Sequence, residues 1–401
     1  LKSFFWIFLL DLISLPVLAQ FRTPELVNYN QIVSGDQQTS VYFPLLKDKN
    51  VAVVANKASV IGKTNLVDTL VASGIKVVKI FSPEHGFRGN VGAGETIKNG
   101  KDVKTGIPII SLYGKRKKPT DNELKDVDIM VFDLQDVGVR CYTYTSTLAY
   151  LMEACAKNHI PLVLLDRPDP NGFYVDGPVL QKKFKSFVGL FPVPLVYGMT
   201  IGEYARMING ERWLKDSLPC NLKVIPLKNY NHNMIVKLPV KPSPNLPNWK
   251  AVYLYPSLCF FEGTVVSVGR GTSLPYQIFG HPDLKGSFEF TPKSMPGSSL
   301  HPKLEGKLCH GTNLTWYARM YDRQPKSLHL KWLLKAYQQL SKLHKPFFNG
   351  YFNYLAGNAV LQKQIKDGLS IRKIRQSWQK DLKQFKKIRK KYLLYPLLLS
   401  L

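Results

Sequence analysis

Acidic side chains are in short supply: 28 Asp and Glu face 55 Lys and Arg in 401 residues, a formal net charge of +27 at pH 7 with histidine neutral. An excess of that size biases a protein toward anionic partners such as nucleic acid, anionic lipid or an acidic polymer. Cysteine is also sparse, with only Cys141, Cys155, Cys220, Cys259 and Cys309. The number is odd, no two form a CxxC pair and no zinc-type spacing occurs, so neither a disulfide framework nor a zinc site is implied. Cys155 and Cys259 lie in apolar settings and read as buried thiols. Past the first twenty residues no run is long and apolar enough to span a bilayer. Phosphate-loop fingerprints are missing too: Gly269-Arg270-Gly271-Thr272 has neither the GxGxxG nor the GxxxxGK[ST] spacing. Low-complexity tracts and internal repeats are absent. A 45% hydrophobic and 21% charged composition excludes a disordered chain, a collagen and a coiled-coil rod.

What is present suggests two domains by length. Residues 1–19 have Lys2 followed by an apolar stretch from Phe4 to Leu18, with Val17 and Ala19 before a cut ahead of Gln20. That is the layout of a secretory signal peptide, and it predicts export to the periplasm or the medium. Residues 20–250 and 251–401 are expected as the two domains, with 21–50 a lead-in and the Pro-rich stretch 239–247 (PVKPSPNLP) a linker. Within the first domain, short β-branched runs at 51–55, 76–81, 107–112, 128–134 and 161–165 alternate with helical spacing at 65–73 and 147–157. Alternating strands and helices predict an α/β fold: a Rossmann-like, doubly wound parallel sheet. The second half reads as a smaller α+β domain, with a strand between glycine turns at 261–272 and amphipathic helices at 327–343 and 371–391.

Ligands of open parallel sheets bind outside the carboxyl ends of the strands, and three polar loops fall there: 82–89 (SPEHGFRG), 135–144 (QDVGVRCYTY) and 166–172 (DRPDPNG). Glu84-His85 suits a general acid/base with its modulator, or two metal ligands; the plainer alternative is a helix cap beside a surface histidine. Glu95 could bring a second carboxylate or merely form a turn. Asp133 and Asp136 could bind Mg²⁺ or position a water, or else cap a turn and pair with Arg140. Arg140 has the fork shape that holds a carboxylate, and Tyr142 and Tyr144 offer ring faces and hydroxyls to a sugar or simply pack. Asp166 and Arg167 are awkward partners for each other, so each is expected to have another. Arg270 could reach in from the second domain. Residues 363–391 are densely basic; without interleaved aromatics or a nucleic-acid motif, an anionic envelope surface is the expected partner rather than nucleic acid.

The motifs SPEHGFRG, GAGE, SLYG, FDLQDVGVRCYTYTSTL, LDRPDPNG, YGMTIGEYA, PSPNLP, FEGTVVSVGRGT, LAGN and RKKYLLY, spread from Val51 to Tyr395, together resemble the NamZ-type exo-β-N-acetylmuramidases. The resemblance implies a Rossmann-like domain and an auxiliary domain with a sugar cleft between them. It also implies release of N-acetylmuramic acid from the non-reducing ends of peptidoglycan fragments, without metal or organic cofactor. On that reading Glu84 is the acid/base. His85, Glu95, Asp133 and Asp136 complete the catalytic candidates. Arg88, Tyr113, Arg140, Tyr142, Tyr144, Arg167, Asn171, Glu262 and Arg270 are the expected substrate contacts. The sequence departs from the family pattern at Asp169, where Asn is expected, and at Tyr197, where His is common. A non-catalytic glycan-binding protein and a metal-dependent hydrolase using Glu84, His85, Asp133 and Asp136 are the alternative classes.

Overall fold

A computed structural model of the chain describes residues 24–88, 99–343 and 346–397; the segment expected as a signal peptide and Glu95 lie outside them. Seven strands form the main sheet: β1 (Val51–Ala55), β2 (Val77–Ser82), β3 (Gly100–Lys101), β4 (Pro108–Ser111), β5 (Ile129–Asp133), β6 (Leu162–Leu165) and β7 (Leu222–Ile225). Their order is β7-β6-β5-β1-β2-β4-β3, all neighbours parallel except the β3–β4 edge pair. Val51–Ala55 is buried along its whole length, as a β-branched central strand must be when helices cover both faces. Alternate residues go to opposite cores: Val51, Val53 and Ala55 to one, Ala52 and Val54 to the other. From β1 the chain builds outward one way through β2 and β4, then returns to build the other way through β5, β6 and β7. The order therefore reverses between β1 and β5, and a crevice opens above their carboxyl ends.

The core containing Ala52, Met130 and Leu164 continues without a break into the second half, taking in Phe260, Phe261, Phe279, Leu333 and Trp378. That half carries a small antiparallel sheet, with Cys309–Asn313 between Ile278–His281 and Phe288–Phe290, and helices Lys331–Leu340 and Ile371–Lys390. The terminal helix returns to the first half. Arg389 donates to the Gly198 carbonyl at 2.7 Å, and Arg375 pairs with Asp176 at 2.6 Å. The boundary expected after Lys250 falls in the first turn of helix Trp249–Leu258.

Two expectations are corrected. Residues 24–50, within the stretch expected as a lead-in, are built into the fold. Glu25–Asn28 pairs in parallel with Met234–Lys237, Thr39–Leu46 is a helix, and Tyr29 and Asp36 are buried against Arg167. Their fixed structure comes from polar partners far along the chain, so local hydrophobic periodicity carries no trace of it. Residues 261–272 hold no strand. A 3₁₀ turn, Cys259–Gly263, is followed by isolated bridges from Thr264 to Phe348 and Ser267 to Gly280.

Asp136 and Asp169 are buried close enough for the Asp136 charge to act on Asp169. Tyr197 donates to Asp136, whose carboxyl burial pushes up to about 6. Asp169 accepts from the Asn171 amide at 2.8 Å. Its carboxyl is raised far more strongly, by burial first and by the Asp136 charge second. One oxygen of each, Asp136 Oδ1 and Asp169 Oδ2, has no hydrogen-bond partner among the described residues. A raised acid favours folding at low pH, where both states are protonated, and costs stability as pH climbs past the unfolded value near 3.9 toward the folded one. Asp169→Asn, which cannot ionise and adds a donor, is therefore expected to stabilise the fold by about 1–3 kcal/mol at pH 7.5, with the gain vanishing near pH 3.5. Thermal unfolding of both proteins at the two pH values checks this; equal stability at pH 7.5 contradicts it.

Candidate active site

β2 ends in the turn Pro83-Glu84-His85-Gly86. His85 and Gly86 both take left-handed backbone, at φ 75° and 78°, so the chain reverses sharply and leaves Glu84 at the tip. Glycine adopts that conformation freely, whereas a histidine there is uncommon. The loop after β5 enters helix Tyr144–Lys157, and the residue before that helix meets Glu84: Thr143 Oγ1 donates to Glu84 Oε2 at 2.9 Å. Asn56, just past β1, donates to the Tyr144 hydroxyl at 2.8 Å, and that hydroxyl is 3.4 Å from the Glu84 carbonyl oxygen. The three strand ends nearest the reversal of sheet order thus converge on Glu84.

Glu84 and His85 line a cleft of about 580 Å³ between the two halves, within the usual size of small-molecule sites. Tyr113, Tyr142 and Tyr144 share its wall on the Glu84 side, and Glu262, Arg270, Tyr276 and Tyr351 come from the second half. Arg270 is held rigidly: Nη2 donates to the Tyr276 hydroxyl at 2.6 Å and to Glu262 Oε2 at 3.0 Å, and Tyr276 donates to Glu262 Oε1 at 2.7 Å. Burial raises the Tyr113 hydroxyl's pKa, as does the Glu84 charge, while Arg270 opposes the rise. Tyr113 therefore feels both walls, which are close enough for one ligand to span.

The other expected residues lie elsewhere. Asp133 is fully buried, bonded to Arg167 at 2.5 and 2.9 Å; burial lifts its carboxyl to about 6 against the pull of Arg167. Arg167 also pairs with Asp36 at 3.2 Å. Arg140 is 1% exposed and donates to the carbonyls of Pro178, Val193 and Leu355, each at 2.8 Å. Asn171 is buried and donates to the carbonyls of Val137 and Val252. Asp136 faces Tyr197 and the Gly138 amide. Arg88 pairs with Asp68 and Asp102. None of these six lines the cleft. Each satisfies a buried neighbour, a task that the same polar residue types perform at a strand end and that spacing cannot tell from catalysis. Sequence reading missed Ser243 and Asn245, which line the cleft from the stretch expected as a linker, together with Tyr255, Tyr276 and Tyr351. The PSPNLP motif pointed to the first two; the tyrosines left no signal. Among the described residues no group of three or more His, Cys, Asp or Glu gathers as a metal site would.

Family models for the N-terminal and C-terminal parts of "Exo-beta-N-acetylmuramidase NamZ" match residues 51–250 and 253–395. The chain belongs to the NamZ exo-β-N-acetylmuramidase family. It is 42% identical over 378 residues, 88% of this chain and 89% of the relative, to the "Peptidoglycan beta-N-acetylmuramidase NamZ" of Bacillus subtilis strain 168. Two crystal structures of DUF1343 family proteins from Bacteroides fragilis NCTC 9343 share the fold. One has TM-score 0.82 at 46% identity and the other 0.76 at 26%, each covering 91% of this chain and 99% of its own. The placement of Arg167 in this family member yields a direct test. Arg167→Met strands Asp133 and Asp36 as uncompensated buried carboxylates, for an expected loss of about 3–5 kcal/mol. Denaturant unfolding would measure that loss; a variant as stable as the parent contradicts the buried cluster.

Proposed function

We propose that this glycoside hydrolase removes N-acetylmuramic acid from the non-reducing ends of peptidoglycan fragments, with Glu84 as general acid/base, and that it does so outside the cytoplasm. The supporting observation is Glu84 itself, a half-buried carboxylate presented into the inter-half cleft where three strand ends meet. Its position matches the PEHG motif of the family, and a relative of 42% identity bears the name of a peptidoglycan β-N-acetylmuramidase. Breaking a glycosidic bond requires an acid within reach of the leaving oxygen, and a carboxylate oriented by Thr143 at a cleft floor suits that role. Export rests on the pattern of residues 1–19. Asp133 and Asp136 are withdrawn as partners of Glu84 because their carboxylates are enclosed in the fold. Glu262 is the other carboxylate among the described cleft-lining residues, and its bonds to Arg270 and Tyr276 suit it to anchoring that arginine.

Glu84→Gln preserves shape and removes proton transfer. Turnover of a chromogenic muramide is expected to fall roughly 10²–10⁴-fold with the fold intact. A folded variant within a few-fold of the parent removes Glu84 from the mechanism.

N-acetylmuramic acid carries a carboxylate on its lactyl ether, and of the four arginines expected as substrate contacts, Arg88, Arg140, Arg167 and Arg270, it is Arg270 that lines the cleft. Its fork is held by Glu262 and Tyr276, so little side-chain entropy is lost on gripping a carboxylate. Arg270→Met is expected to lower kcat/KM on the muramide about 10–150-fold, and far less on the corresponding glucosaminide, which lacks the carboxylate. Arg270→Lys should restore part of the preference. Unchanged discrimination between the two sugars in Arg270→Met would show that another group reads the lactyl arm.

A further inference from the structure

The terminal helix Ile371–Lys390 buries Ile374, Trp378, Leu382 and Phe385 against the body of the protein and turns its other side to solvent. At 100° per residue, its exposed cations are not scattered. Arg372, Lys383 and Lys390 fall within about 20° of one another on that wheel; Lys386 lies about 40° to one side and Lys387, Lys380 and Lys373 within about 100° on the other. Gln376 and Gln379 fill the gaps in the same arc. The helix's single acid, Asp381, points about 180° from Arg372. The result is a stripe of like charge roughly 27 Å long. Like charges cost stability by mutual repulsion, and nothing in the packing of the buried face requires them on the opposite one.

The stripe ends at a cavity. A pocket of about 390 Å³ lies where Lys386 and Lys390 meet Lys326, over Phe173, Tyr174 and His232. Arg389 also lines it, though its guanidinium is spent on the Gly198 carbonyl. Among the described residues no Asp or Glu lines this pocket. It shares no lining residue with the catalytic cleft.

We propose that this stripe and its terminal pocket form a second binding site, separate from the catalytic cleft, for a linear acidic polysaccharide. A row of cations along one line matches charges repeating along one chain, and the aromatic rings in the pocket suit a sugar ring at the end of the row. The helix face has lysine and glutamine but no exposed aromatic. Non-specific single-strand nucleic-acid sites stack successive bases on aromatic platforms along the strand; the pocket's rings stand only at the end of the row, so the stripe favours a glycan. It carries no apolar residue for insertion, and a pocket receives a discrete group rather than a bilayer plane, which sets a membrane aside. Such a site would hold the enzyme on an anionic wall matrix while the cleft works on sugar ends.

The test uses the whole protein and polygalacturonate as probe. Binding is measured at physiological ionic strength, beside an oligothymidylate and equimolar phosphatidylglycerol–phosphatidylcholine vesicles. Polygalacturonate is expected to bind most tightly, and to lose roughly 10²-fold in affinity on a four-fold rise in salt. The variant Lys383→Glu/Lys386→Glu/Lys390→Glu, altered only at exposed positions, should bind it about 100-fold more weakly with an unchanged melting temperature. A second variant, Lys47→Glu/Lys49→Glu/Lys63→Glu, makes the same change in net charge at exposed sites elsewhere and should stay within about three-fold of the parent. Equal losses in both variants would reduce the effect to overall charge and overturn the site. Absence of polygalacturonate binding would overturn it too, as would tighter binding to the oligonucleotide or the vesicles.

Discussion

Arg167, 2% exposed at the end of a central strand, is the residue on which the catalytic half is assembled. It neutralises Asp133 at the tip of β5 and Asp36 from the N-terminal segment, and it donates to the Tyr29 hydroxyl. Two carboxylates cannot be buried together without such a partner, because desolvation of each costs several kcal/mol. The cation therefore forces three distant stretches of chain to one place. Replacing the arginine and both carboxylates together by apolar residues could equal the cluster in stability, whereas removing the arginine alone strands two buried charges. Ser59, whose hydroxyl donates to the Asp133 carbonyl, extends the same constraint to the segment after β1.

From that anchored layer the cleft follows. Glu84 rides on the tip of β2, and the residues that orient it, Thr143 and Tyr144, start the helix after β5. Both strands flank β1, so the hydrogen-bonded ladder sets their spacing. The opposing wall is equally fixed, because the Glu262–Arg270–Tyr276 set rests on a core shared by both halves. A continuous apolar core resists hinge motion between its parts, which suits a cleft whose two walls must both touch one sugar. The terminal helix and the segment after it add a strap: Tyr395 donates to Asp166 at the end of β6, and the Leu394 amide donates to Glu203.

Much of this was written in the sequence. The β-branched runs and helical spacings located five strands and the helix after β5 to within a few residues, because periods of two and 3.6 are local properties of a half-buried chain. The crossover rule gave a parallel sheet but no strand order; the reversal between β1 and β5 depends on which edge of the sheet each crossover builds onto. The basic terminal helix was legible for the same local reason: the amphipathic pattern over 371–391 is found as the helix Ile371–Lys390.

Which polar residues face the cleft was not legible. Arg140 and Arg167 stand in strand-end loops beside tyrosines and acids, just as Arg270 stands between glycines far along the chain, and only packing separates them. Arg140 is closed in by Gly189 and Gly357, whose missing side chains leave it room, and it spends both terminal guanidinium nitrogens on carbonyls. The sequence by itself determined the layered α/β architecture, the family and the loop that carries Glu84, since these rest on short-range patterning and on motifs. Tertiary structure alone decided that Asp133, Asp136, Arg140 and Arg167 turn inward while Ser243, Asn245, Arg270 and Tyr276 line the cleft. A buried charge must find its partner through space, and no spacing along the chain encodes that distance.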